Sequence, residues 1–410
     1  GNEIDAVVRQ VLNTSQYNNT FRQATREEYE YYADNLTSSN IVSLSTSPKP
    51  VYVWRNNRDV LFYSEADVIF ANADSSRMFW NSYYLQYIDL TGINFIKSTT
   101  MYYMFASLFA LDELTFGPTF YTNNVTDMHN MFNGADDLSE LDFSGFDTSK
   151  VKDMSYMFGG MYNMLSFDLS SFDTSNVTNM SRMFYYNMYL EQLDLSGFNT
   201  SKVTDMSGMF AADDILSSVN LTSFDTSKVT DMQYMFQGDI ELEELDLSSF
   251  DTRSLSRTQD MFYNNYKLRT IYVSDKWTNE NFDPEYGMNM FRGCYDLVGQ
   301  EGTAYDLIHY NEEYAHIDGG VSNPGYLTHI SNYRPITNTH TITLPDYTEE
   351  VEHKYPYTIP VNKYDKEGQN LSKVTFKYHN GQTDTSSIVR KDYVNDGFKI
   401  DGKKYDEGDI

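Results

Sequence analysis

The dipeptide Met-Phe begins at Met78, Met104, Met131, Met157, Met183, Met209, Met235, Met261 and Met290. Successive pairs are 26 residues apart, except for one step of 27 before Met131 and one of 29 before Met290. Composition alone does not produce nine pairs at one spacing. A period of about 20–29 residues marks leucine-rich repeats, whose units bury their apolar faces only against neighbouring units. The expected architecture is a leucine-rich-repeat solenoid with one parallel β-strand and one short helical turn per coil.

The clearest unit begins Leu190-Glu191-Gln192-Leu193-Asp194-Leu195-Ser196-Gly197-Phe198. On a strand, Leu193 and Leu195 point inward, and Gln192, Asp194 and Ser196 point outward. Phe198 recurs as Phe120, Phe146, Phe172, Phe224 and Phe250, with Ile93 in the first such position, so an aromatic spine is expected there. Further on, Val203, Met206, Met209 and Phe210 share one face at helical spacing, with Thr204 as a candidate N-cap and Asp205 near the helix start. Gly134, Gly160, Gly238 and Gly293 fall two places after the repeat Phe and suit a left-handed stop.

Exposed ends of such a stack need covers. Ile4, Val7, Val8, Val11 and Leu12 have helical periodicity, and Thr25 with Glu28 forms a capping box ahead of Tyr29, Tyr32 and Leu36. Val51–Trp54 and Val60–Tyr63 flank Asn56-Asn57 as a hairpin. Residues 1–75 therefore read as a helical and hairpin cap, and residues 76–330 as the solenoid with its closing segment around Asn323-Pro324-Gly325-Tyr326. Residues 331–410 read as a small all-β module, with turns at Asn380-Gly381 and Asp401-Gly402.

Composition narrows the function. The formal charge of −29 disfavours a partner held by phosphate contacts, so no nucleic acid is expected. The single cysteine, Cys294, excludes internal disulfides and Cys-based zinc sites, and reads as a small core residue. No apolar run approaches the roughly 20 residues of a membrane span. His309 and His316 are the nearest approach to a ligand pair, and no metal or other cofactor is expected. No G-x-S-x-G, P-loop, G-x-G-x-x-G or H-E-x-x-H string occurs, so the chain does not read as an enzyme.

With Phe172-Asp173-Thr174-Ser175-Asn176-Val177-Thr178-Asn179-Met180-Ser181-Arg182-Met183-Phe184 in view, the chain resembles the BspA-like leucine-rich-repeat surface proteins, whose unit is close to LxxLDLSxFDTSxVTxMSxMF. The resemblance spans residues 76–300 and is strongest over 138–250. It implies an extracellular, wall-anchored bacterial adhesin for a host epithelial, matrix or mucin component, with no catalytic residues to carry over. Such proteins often continue into β-rich stalk modules, so a structural spacer displaying a distal binding domain is the alternative. A monomeric, elongated protein is expected.

Two outward features are candidates for contact. Asp142, Asp168, Asp194 and Asp246 repeat on the strands beside Ser144, Ser170, Ser196 and Ser248. Carboxylates about 4.8 Å apart would repel unless solvent and these hydroxyls offset the charge, or a cation or polyhydroxylated ligand does. Tyrosines cluster where the helical turn meets the next strand, and rigid amphipathic rings suit protein and sugar contacts. Tyr185, Tyr186 and Tyr189, with Asp168 and Asp194 beside them, form the candidate ligand-binding surface.

Overall fold

The computed structural model describes residues 19–332 and, further on, the backbone of six strands between Asn338 and Tyr405. The proposed helix over Ile4–Leu12 lies outside the described residues. The chain divides into two compact units, residues 1–331 and 332–410.

The first unit opens with β1 (Thr20–Gln23), followed by α1 (Arg26–Tyr32). Thr25 and Glu28 form the capping box, and Arg22 reaches the Glu28 carboxylate at 2.7 Å. The hairpin is β2 (Val51–Asn56) with β3 (Asp59–Ser64), turned at left-handed Asn57. β4 is Ile69–Phe70, β5 Tyr87–Asp89, β6 Ile93–Asn94 and β7 Glu113–Thr115. The first sheet has the order β2-β3-β1-β5-β7, so β1 is inserted in parallel between the hairpin and the first repeats. This places Phe21, 1% exposed, edge-on to Phe79.

Later repeats carry β8 (Gln192–Asp194) parallel to β9 (Ser218–Asn220). β10 (Glu244–Asp246), β11 (Thr270–Val273) and β12 (Leu327–His329) form another parallel sheet, so the segment after Pro324 pairs with the last repeat strand. Leu193 and Leu195 are buried, while Gln192, Asp194 and Ser196 are exposed. A second parallel ladder joins residues 26 apart, from Asp127 through Asp153, Asn179 and Asp205 to Asp231 and on to Arg257.

The expected helix over Val203–Phe210 does not form. Instead the backbone makes overlapping tight turns. Met209 N–H and Ala211 N–H bond locally to the Met206 and Gly208 carbonyls, whereas Met206, Gly208, Phe210 and Ala212 N–H groups bond to Asp231, Gln233, Met235 and Gln237 of the next repeat. An α-helix would direct its N–H groups to its own carbonyls. Alternating turns leave every second group free to join neighbouring repeats. The geometry needs two left-handed residues per repeat: one just before Met-Phe, such as Gly208 (φ 61°), and one two places after the Phe, such as Gly134, Gly160, Gly238 and Gly293.

The Met-Phe side chains are the core. Nine phenylalanines from Phe79 to Phe291 stack in sequence with centroid separations of 5.4–6.1 Å, and Tyr326 closes the far end edge-on. The second aromatic column is also buried, with Phe146 stacked on Phe172 and Phe224 on Phe250. A polar ladder runs beside the aromatic columns, and threonine hydroxyls supply it. Thr200 Oγ1 donates to the Asp225 carbonyl and accepts from the Asp225 N–H, and Thr122, Thr148, Thr174 and Thr226 do the same one repeat on.

In the second unit, β13 (Asn338–Leu344), β14 (Tyr347–His353), β15 (Lys373–Lys377) and β16 (Thr383–Ser387) form an antiparallel sheet in the order β14-β13-β15-β16. β17 (Phe398–Ile400) and β18 (Lys403–Tyr405) form a separate hairpin.

Candidate functional site

The outward carboxylate column is engaged with its own backbone. Asp142, Asp168, Asp194 and Asp246 accept the N–H of Ser144, Ser170, Ser196 and Ser248 at 2.8, 3.1, 2.9 and 3.0 Å, and Asn220 does the same with Thr222. Each is an Asx turn; those at Asp194, Asn220 and Asp246 end strands, whereas the repeats carrying Asp142 and Asp168 form no strand, contrary to the expected strand in every coil. Hydrogen bonds from Ser144 and Ser170 hold the Asp142 and Asp168 carboxyls below their ordinary value. The column therefore has a local structural role that requires no cation. Among the described residues, no group of three or more His, Cys, Asp or Glu side chains is placed to hold a metal ion. His309 stacks on Tyr314, and His316 bonds to the Ile317 carbonyl. Cys294 is fully buried, its thiol pKa is raised by burial, and it donates to the Phe262 carbonyl.

The tyrosines do form a surface, but with different neighbours from those expected. Tyr185 is half-buried, while Tyr186 and Tyr189 are 37% and 54% exposed. The Tyr186 ring lies 5.7 Å from Tyr185 and 5.2 Å from Tyr162, and Tyr185 meets Tyr156 at 6.2 Å. The Arg182 guanidinium lies 5.3 Å from the Tyr156 ring. No hydrogen bond joins Tyr185, Tyr186 or Tyr189 to Asp168 or Asp194, and Tyr189 makes no ring contact among the described residues. The acid in this neighbourhood is Asp136. Burial and then the charge of Asp137 push its carboxyl up to about 6, and its own charge follows burial in raising the Tyr162 pKa.

The left-handed positions explain why these side chains are presented. Just before the nine Met-Phe pairs stand Arg77, Tyr103, Asn130, Tyr156, Arg182, Gly208, Tyr234, Asp260 and Asn289, all with φ between 54° and 63°. Glycine suits this conformation, and Asn or Asp tolerates it, whereas a bulky residue costs about 1–2 kcal/mol. Arg77, Tyr103, Tyr156, Arg182 and Tyr234 nonetheless occupy it, and all are half-buried. Gly208 has a further reason to be glycine: a Cβ there would lie 2.9 Å from Arg182 Cγ, so the arginine stem runs across it. The sequence reading missed Tyr156, Arg182 and Asp136. Their signal was the variable residue immediately before an invariant pair.

Among the described residues, no helix is long and apolar enough to cross a membrane. No curated protein matches the chain. Two overlapping segments, residues 99–193 and 186–300, match the family described as "Mycoplasma protein of unknown function, DUF285". Residues 99–300 are thus similar to a repeat-bearing domain whose family description assigns no activity.

Proposed function

We propose that this chain is a binding module of a bacterial cell surface, an adhesin that meets a host protein or glycan through the aromatic face of its repeats. In this reading the repeats form a leucine-rich-repeat-type solenoid in which overlapping turns replace the helical segment. Strictly repeated inward columns beside changing outward ones carry the proposal. Met, Phe and Thr recur at buried positions, whereas the column five places after each repeat Met changes from repeat to repeat, with Tyr83, Phe109, Tyr266 and Tyr295 exposed and Asp136, Tyr162, Met188, Asp214 and Ile240 half-buried. Stacking needs the first pattern, and a spacer has no use for the second. Tyr83 stacks on Phe109 at 5.2 Å and Tyr266 on Tyr295 at 5.8 Å, and all four rings are exposed.

The contact surface in this proposal is centred on Tyr162, Tyr185 and Tyr186, with Tyr189, Asp168 and Asp194 at its margin. The acidic chain repels polyanions, so a neutral or cationic surface is the favoured partner. Replacing Tyr162, Tyr185 and Tyr186 together by Ser should weaken attachment to epithelial cells or immobilised mucin with little change in melting temperature. Full adhesion by this variant would favour the spacer reading, and tight heparin binding by the parent would refute the electrostatic argument.

A further inference from the structure

The strongest unassigned constellation lies at the other end of the same row of left-handed residues. The Arg77 guanidinium carbon is 5.2 Å from the Trp80 ring centroid, 5.1 Å from Tyr102 and 5.7 Å from Tyr103. Trp80 and Tyr102 both stand steeply to Tyr103, at 70° and 88°. Tyr102 is backed by His129, whose ring is parallel to it at 4.8 Å and is fixed through Nδ1 by Asp127 at 2.6 Å. His129 thus braces Tyr102 from behind, and the half-buried arginine touches three of the rings.

Unlike five other described arginines, this one reaches no carboxylate among the described residues, and Arg182 at the same repeat position shares that trait. Arg22, Arg26, Arg253, Arg257 and Arg269 each reach a carboxylate. Arg77 makes no ion pair and no side-chain hydrogen bond among the described residues, and its Nε is buried without a partner. The chain has 59 acidic residues, yet among the described ones none is paired with this arginine. The residue also occupies a left-handed position (φ 58°) that Asn130 and Asn289 fill elsewhere with less strain. With Nε buried, the two terminal nitrogens of the unpaired guanidinium form the edge suited to a bidentate oxyanion, and the adjoining Trp and Tyr faces suit the C–H face of a sugar.

We propose that Arg77, Trp80, Tyr102 and Tyr103 form a binding site for an acidic monosaccharide unit, with its carboxylate on the Arg77 guanidinium and its ring against Trp80. The overall negative charge favours a ligand with one carboxylate over a polyanion. The site is separate from the Tyr162–Tyr186 surface and does not depend on that surface being adhesive.

The test is calorimetric titration of the full chain with sialyllactose and with glucuronic acid, using lactose as the neutral control and acetate as the carboxylate alone. Saturable binding of at least one acidic sugar is expected, at least tenfold tighter than lactose or acetate, and the two acids distinguish a sialic from a uronic ligand. Arg77→Asn suits the backbone and should retain the parent melting temperature while weakening binding at least tenfold. Trp80→Leu keeps the arginine and should reduce the acidic sugar to the level of acetate. Absence of acidic-sugar binding, equal binding of lactose, or unchanged binding by both variants would overturn the proposal. So would capture of a peptide through its terminal carboxylate when neither acidic sugar binds.

Discussion

Asp213 and Asp239 are fully buried, and each has one carboxyl oxygen without a hydrogen-bond partner. They occupy one column with Asn187 and Asn265, in which each side-chain oxygen accepts an N–H from the preceding repeat: Asn187 from Met161, Asp213 from Asn187, Asp239 from Asp213 and Asn265 from Asp239. The remaining atom of Asn187, Nδ2, donates to the Phe184 carbonyl at 2.5 Å. By analogy with Asn187, the Phe210 and Phe236 carbonyls are the expected acceptors for Asp213 and Asp239, although at Asn265 the equivalent Nδ2 is buried without a partner while the Cys294 thiol takes the Phe262 carbonyl. An ionised oxygen there would face a carbonyl in a dry core, so the pair is expected to hold protons and donate as Asn187 does. Burial raises both carboxyls well above their ordinary value; the Asp239 charge adds to this for Asp213, and that of Asp214 for both. With raised folded values, the stabilisation is complete below the ordinary carboxylate range and is lost as pH rises towards the folded pKa. The unfolded chain releases protons that the fold retains. The slope is about 1.4 kcal/mol per pH unit if the pair keeps one proton, and about 2.7 if it keeps two. Urea unfolding of the parent and of the Asp213→Asn, Asp239→Asn double variant between pH 5 and 7 measures this directly. The double variant should lose that part of the slope and be the more stable protein at pH 7, since Nδ2 replaces a proton that must otherwise be retained. Equal slopes, or a double variant less stable at pH 7, would refute the argument.

Phe184→Ala removes a ring stacked between Phe158 and Phe210 and should cost about 3–5 kcal/mol in denaturant unfolding. Thr200→Val keeps the shape but leaves the Asp225 N–H and carbonyl without their partner, a loss of about 2 kcal/mol or more by the same measurement. Asp136 should titrate near 6 in carboxyl-carbon NMR, and Asp137→Asn should lower its midpoint; an unmoved midpoint would leave burial as the only cause.

Inward positions were legible because a buried column tolerates few residue types. Met-Phe at nearly fixed spacing gave the burial of Met183, Phe184, Met209 and Phe210, each 0% exposed, without any knowledge of the path between them. The capping box at Thr25 and the hairpin at Asn57 were legible because both are local and depend on nearby side chains. The turn ladder was not. Val203, Met206, Met209 and Phe210 share one face of a helix, but the same residues also point inward when two left-handed residues break the helix into turns, and hydrophobic spacing cannot separate the two paths. The glycines at 134, 160, 238 and 293 showed half of the answer. The other half was hidden because Arg77, Tyr103, Tyr156, Arg182 and Tyr234 give no local signal for positive φ.

That hidden half bears on function. A residue in an unfavourable backbone conformation is retained only where the surroundings over-determine it. Here the over-determination comes from the neighbouring repeats. Arg182 bonds through its N–H to the Ser207 carbonyl and lends its own carbonyl to Tyr185, so the backbone would remain left-handed whatever side chain stood there. The stack thereby frees the side chain from any folding task, and each repeat can present Arg, Tyr, Asn, Asp or Gly at the same point. The candidate site was therefore only partly readable from tyrosine clustering. Tyr185 and Tyr186 were visible as clustered aromatics, while Tyr156 and Arg182, which bring two repeats of the surface together, became visible only once the backbone showed them pointing the same way.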